Sequence, residues 1–380
     1  MLKNLKNIAR RNLINIPGWR TNRKIVVFES DDWGSIRMPS KKVFNKLLSG
    51  GIRVDKSIYD TFDTLEQEKD LELLFNTLIE FRDIYGKPPV FTFNTVLGNP
   101  AFEKIKYENF NNYYYEDFFT SYSKYSGSNL KDLWFNAIDE KLIHPQFHAR
   151  EHLNVSLWME ALQNNHKQTK IAFDHGFFGL KTEIPSTRQN NYLAAYWPKD
   201  EDDFKQKMGI LEDGLELFEQ IFGFESISFI ACNYIYPIKM EGKLSNFGIR
   251  FIQNQYRHLS PAYSSHKGEI KSHFTGQKNI FNQYHLVRNC FFEPTIERNS
   301  DVVNQCMMQV EAAFRWRKPA IISTHRINYV GGLEMENRVY GIRKLEDLLT
   351  QILKRWPEVE FLSTEALSTI LEKENENSYS

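Results

Sequence analysis

The chain has 380 residues, 41% hydrophobic and 25% charged, which describes a folded chain with ample core. Its 48 basic and 48 acidic residues leave a formal net charge of zero, so no general surface for nucleic acid is implied. No stretch approaches the roughly 18–20 apolar residues of a membrane span. The three cysteines, Cys232, Cys290 and Cys306, are too scattered for a disulfide framework or a zinc knuckle.

The first residues, MLKNLKNIARRNLINIPGW, lack the apolar core and cleavage site of a signal peptide, so a reducing, cytoplasmic setting is expected. Leu2, Leu5, Ile8, Leu13 and Ile16, set among Lys and Arg, suit a short basic amphipathic helix. Such a helix can touch a membrane surface but more often packs on its own domain.

Ile25–Phe28 is a short run of β-branched and aromatic residues that suits a buried strand. It stops at Glu29, Ser30, Asp31 and Asp32, and Gly34 permits a turn. Three carboxylates at the end of a buried strand are costly without a compensating cation, and a metal ion is an economical one. The plainer reading is an acidic turn in which Asp31 or Asp32 caps the next helix.

Helices are expected at Ser40–Leu48 and, from its apolar period, at Leu65–Tyr85. Val90–Val96 reads as a second strand with Asn94 near its end. Residues 100–128, rich in Tyr, Phe, Asn and Ser, show no clean period and are expected to form an excursion able to fold over a site. A helix at Leu130–Leu142, a strand at Ile143–His148 and a helix at Asn154–Gln163 follow. Residues 165–200 read as irregular.

Beyond them come a long helix at Glu201–Phe222, a strand at Ser226–Cys232 and a helix at Lys239–Phe247. Strands are expected at Ile249–Gln253, Tyr284–Asn289, Pro319–Thr324 and Val359–Leu362, with helices at Asp301–Arg315, Val339–Lys354 and Thr364–Leu371. This alternation argues for a mainly parallel sheet covered by helices. With no linker-like stretch, a single α/β barrel over 24–371 is expected, preceded by a basic segment at 1–23 and followed by a polar tail at 372–380.

Four strand ends carry polar clusters: Asp31/Asp32, His148/His152, Asn233/Tyr234 and His325. Four in order along one α/β chain suggest a single site at one barrel face. One Asp and two His are suitable zinc ligands that leave a coordination position open. Such an ion, with a carboxylate as general base and a further His as acid, suits hydrolysis of an amide or ester.

Here the chain resembles the polysaccharide deacetylase family, the NodB-homology or carbohydrate esterase family 4 group. Glu29-Ser-Asp-Asp-Trp-Gly34 stands where the family has T-F-D-D-G, and His148-Ala-Arg-Glu-His152 matches the His-x3-His core of its second motif. The family's R-x-P-Y motif is poorly matched by Cys232-Asn-Tyr-Ile-Tyr-Pro237, where the arginine that orients the base is missing. Ile321-Ile-Ser-Thr-His325 looks like the family's strand ending in L-H.

The resemblance implies a distorted (β/α)7 barrel with long insertions at 50–88, 100–128 and 255–300. It makes Asp31 the catalytic base and His325 the acid, with Asp32, His148 and His152 holding one divalent ion, zinc by preference. Asn233, Tyr234, Asn94 and Trp33 are then candidates to contact an acetylated carbohydrate.

Two rival readings remain. The same residues spell His148-x-x-Glu151-His152, a peptidase signature that needs a helix interior, whereas Asn154 is the first good helix cap here. A chain without the orienting arginine could also bind a glycan without turning it over. His144 forms a second His-x3-His pair with His148. Strand alternation and Pro145 place it about 13 Å along an extended strand, too far to share an ion. Arg150 and Glu151 read as a solvated ion pair.

Overall fold

Ile25–Trp33 (β1) is buried along its whole length and lies at the middle of the main sheet. Its side chains alternate as a strand's must. Val26 and Phe28 join one apolar cluster, and Ile25 and Val27 join another. A strand buried on both faces reads as a continuous apolar run, which is why the first strand was so legible.

The computed structural model describes residues 11–184 and 189–376. Leu2, Leu5 and Ile8 of the basic segment, and the tail's last residues 377–380, lie outside them. Among the described residues, no helix is long and apolar enough to cross a membrane.

The remaining strands of the sheet are Phe91–Val96 (β2), Ile143–Ala149 (β3), Ser228–Phe229 (β4), Phe251–Asn254 (β5), Tyr284–Val287 (β6), Cys290–Phe291 (β7), Ala320–His325 (β8) and Glu360–Phe361 (β9). Their order is β6-β5-β4-β3-β2-β1-β8-β7, with β9 beside the start of β1. Every pairing in this sheet is parallel. The result is an α/β fold whose sheet curls into a half-barrel surrounded by helices.

The strand expected over Tyr284–Asn289 ends at Val287, and the next strand, Cys290–Phe291, lies on the opposite edge of the sheet. The N–H of Arg288 bonds to the carbonyl of Asn254 in β5, and that of Asn289 bonds to Ile321 in β8. The Arg288-Asn289 link therefore spans the half-barrel's seam, and Arg288 sits where the two edges meet.

Helices cover the sheet. Val155–Gln163 (α1) is capped by Asn154, whose side chain accepts from the Leu157 N–H. Glu201–Phe222 (α2) packs close on β3, because a Cβ on Gly214 would stand only 3.0 Å from the Phe147 ring. Thr364–Glu376 (α3) sets Leu367 and Leu371 in one cluster with Val27, Leu286 and Ile321.

The helix read over Leu65–Tyr85 spans Glu68–Ile79. Residues 100–128 hold short helices at Phe102–Tyr107 and Phe118–Tyr125 and a strand, Tyr115–Asp117, paired with Gly98–Pro100. The three cysteines are buried and free.

Candidate metal and catalytic site

The strand ends converge on one cavity of about 850 Å³, lined by Asp31, Asp32, His148, His152, Asn233, Tyr234 and His325. That is the size range of small-molecule sites. Its other walls come from 51–60, 168–181 and 190–193, with Ile52, Tyr59, Gln168, Leu180 and Asn191 among them, and from Arg37, Ala231 and Gln255. No residue of 100–128 lines it. That stretch packs instead around Gly34, where a Cβ would stand 3.2 Å from Phe118, and Ser121 accepts from Asn99, which also bonds to the Ile36 N–H and the Gly34 carbonyl.

Adjacent residues of a regular strand face opposite ways, yet Asp31 and Asp32 both reach the cavity. β1 breaks register with β2 between Ser30 and Trp33, and Asp32 adopts φ 76°, a left-handed value rare outside glycine. Gly34, at φ +88°, completes the turn where a Cβ would strike the Val96 carbonyl at 2.3 Å. Such local strain is typical of functional sites.

Asp32 Oδ1 lies 3.5 Å from His148 Nε2 and 3.4 Å from His152 Nε2. His148 is the last residue but one of β3, at a register shift, and His152 stands in the turn before α1. The His148 Nδ1 bonds to the Ile230 carbonyl at 2.8 Å, so Nδ1 carries a proton and Nε2 is the nitrogen that faces Asp32. His152 Nδ1 is buried with no hydrogen-bond partner. Burial opposes the Asp32 charge, but the adjacent imidazoles hold its carboxyl well below the usual range. A carboxylate and two imidazoles form a donor set that fits a divalent ion such as zinc.

Asp31 is held separately. Arg288 grips both its oxygens, Nη2 to Oδ1 at 2.7 Å and Nη1 to Oδ2 at 2.6 Å, while its Nε binds Glu29 at 2.7 Å. Asn94 donates to Asp31 Oδ1 at 2.7 Å. Burial raises the cost of the Asp31 charge, yet Arg288 outweighs it and holds the carboxyl below its ordinary value. For Glu29 burial wins and the carboxyl is raised. The arginine missing from 232–237 is thus supplied by Arg288, across the seam. Its sequence signal is a charged residue interrupting an apolar strand, Leu286-Val-Arg-Asn-Cys290.

His325 ends β8 with Nε2 3.6 Å from Asp31 Oδ2 and Nδ1 2.6 Å from Glu293. Asn328 holds the other Glu293 oxygen at 2.7 Å. Burial opposes the imidazolium, but Glu293 and then Asp31 raise its pKa to about 9, so the ring is protonated at neutral pH. Glu293→Gln should draw that pKa down by about 1–3 units, the scale for losing one adjacent opposite charge. An NMR titration of His325 with an unmoved midpoint would refute the pairing.

The other sequence candidates divide. Tyr234 lines the cavity and its hydroxyl lies 2.8 Å from Arg288 Nη1. Asn233 lines it at φ 57°. Trp33 does not: it is fully buried, stacked on Phe93 at 3.8 Å. Asn94 is fully buried too and orients Asp31. His144 is away from the cluster, stacked on Phe224 and 3.0 Å from Glu365.

Residues 148–152 are not helical, and Glu151 is taken up by Arg150 at 2.6 and 2.7 Å. The peptidase reading therefore fails, and the Arg150–Glu151 pair is buried rather than solvated. The sequence reading missed Arg288, Glu293 and Cys232. Cys232 is fully buried beside the two imidazoles; burial would raise its thiol, but His152 and His148 draw it down to about 6.

No family model and no curated protein matches the chain. Among solved structures it resembles a Mycobacterium smegmatis protein assigned by inference as a polysaccharide deacetylase, at 10% identity and TM-score 0.45, over 95% of this chain and 94% of that one. A Pseudomonas aeruginosa PAO1 protein assigned likewise shows 10% identity and TM-score 0.41, over 90% and 89%. A 4-alpha-glucanotransferase from Thermococcus litoralis shows 10% identity and TM-score 0.42, over 91% of this chain and 40% of that one. Function resides in a site and not in a fold.

Proposed function

We propose that this chain is a metal-dependent hydrolase that removes an acyl group, N-acetyl first among them, from a carbohydrate. One observation carries the reading. A carboxylate gripped by an arginine, Asp31–Arg288, stands between a carboxylate–imidazole cluster, Asp32/His148/His152, and a protonated imidazole, His325–Glu293.

Asp32, His148 and His152 would hold the ion. When bound, a divalent metal polarises the acyl oxygen and makes water a nucleophile near neutral pH. Asp31, kept ionised by Arg288, accepts the water's proton as general base. Arg288 and Asn94 fix which way its oxygens point. His325, kept protonated by Glu293, returns a proton to the leaving amine. The sugar is held by the cavity walls, where amides such as Asn191, Asn233 and Gln255 stand among Tyr59, Tyr234 and Leu193. Mixed amide and aromatic walls suit hydroxyl-rich rings with apolar faces. The binding-only alternative rested on the lost arginine, and Arg288 removes that ground.

The test is acetate release from N-acetylated saccharides by protein purified without chelators. Asp31→Asn should keep the metal, by elemental analysis, and lose turnover by roughly 10²-fold or more. Equal acetate release by Asp31→Asn refutes the role of Asp31. A metal-loaded, unmutated protein inert on all acetylated saccharides refutes the reaction.

A further inference from the structure

Cys232 follows β4 and opens a turn in which Asn233 and Tyr234 both take left-handed values, φ 57° and 56°. One donor atom each from His148, His152 and Cys232 lies within 4.8 Å of the other two. Metal bonds of about 2.1 Å to nitrogen and 2.3 Å to sulfur let one ion serve all three after a small contraction.

A further observation points to a ligand there. The Ile230 carbonyl, two residues before Cys232, holds His148 Nδ1 and so leaves Nε2 free to coordinate. The bland alternative is a cysteine acting as a small core residue. Cys290 and Cys306 are such residues, both fully buried in the main apolar cluster. Cys232 touches that cluster too, but its sulfur faces two imidazoles.

We propose that Cys232 is a thiolate ligand of the same ion as Asp32, His148 and His152. This rests on the metal-dependent reading of the site. On binding, the Cys232 S–H releases its proton to solvent and the sulfur lone pair forms the bond to the metal. The donors grouped within 4.8 Å are two imidazoles and one thiolate, and the Asp32 carboxylate lies against both imidazoles. Sulfur ligation favours zinc, and cobalt in its place, over magnesium, manganese or calcium. If all four residues held the ion, water would join only as a fifth ligand, an expansion zinc sites allow.

Cobalt(II) loading of the full chain tests this without any turnover. The unmutated protein should bind one cobalt and show near-ultraviolet thiolate-to-cobalt charge-transfer absorption beside the visible ligand-field bands. Cys232→Ser should keep ligand-field bands, lose the charge-transfer absorption and weaken zinc binding by about tenfold or more, the scale for disturbing a metal's surroundings. Cobalt bound without that absorption, or the absorption persisting in Cys232→Ser, overturns the proposal. If Cys232→Ser does not fold, cadmium-113 NMR of the unmutated protein decides, because a thiolate donor moves the resonance far downfield of an all-nitrogen-and-oxygen site. No metal binding by the unmutated protein refutes ligation and the metal-dependent reading together. Charge-transfer absorption with no acetate release leaves ligation standing and refutes the reaction alone.

Discussion

Arg288→Met should destabilise the chain by about 3–5 kcal/mol, the cost of leaving a buried charge without its partner. Arg288 is fully buried, and its guanidinium satisfies Glu29 and both oxygens of Asp31. Methionine keeps much of the volume but leaves two carboxyl groups facing each other in the interior. The deficit has a pH signature. The folded Asp31 has a pKa below its ordinary value, so its contribution is present above the unfolded pKa and lost as pH falls through the folded one. The gap between unmutated protein and Arg288→Met should therefore be widest above about pH 4 and narrow below it, where carboxylates take up protons in both. Denaturant titrations across that range give the answer; equal midpoints at neutral pH would remove Arg288 from the account. Arg288→Lys retains the charge but not the two-point grip. It should recover part of the stability while acetate release stays low, which separates orientation of Asp31 from simple neutralisation.

His148→Ala and His152→Ala should each abolish tight metal binding, while His144→Ala should leave most of it. His148 and His152 present Nε2 to the same Asp32 oxygen, at 3.5 and 3.4 Å. His144 sits at the other end of β3, level with Thr92 and beside Glu365. Elemental analysis of the three variants, purified without chelators, reads the difference directly. Metal lost in His144→Ala and kept in His152→Ala would mean that the ion binds elsewhere.

The parts of this site that were legible in the sequence share one property: each is local. The apolar run of β1 and its acidic end are contiguous. The break from strand to helix between His148 and Asn154 lies within seven residues, and the cap itself is seen, with Asn154 accepting from Leu157. His325 directly ends an apolar strand. Trp33 was misjudged for the same local reason. Its neighbours at the strand end are site residues, and only its stacking on Phe93, from a separate strand, shows that it belongs to the core.

Alternating periodicities thus determined that the chain builds a parallel sheet with polar strand ends, because both are written in neighbouring residues. Tertiary structure decided how those ends are completed. Arg288 reaches Asp31 across 257 positions of chain, and Glu293 reaches His325 across 32. Cys232 meets His148 and His152 only when β4 is laid beside β3. The sheet must also curl until its edge strands approach, so that the Arg288-Asn289 link can bond to β5 on one side and β8 on the other. A buried carboxylate demands a countercharge wherever the chain can supply one. Curvature of the whole sheet, not any local pattern, selects which residue that is.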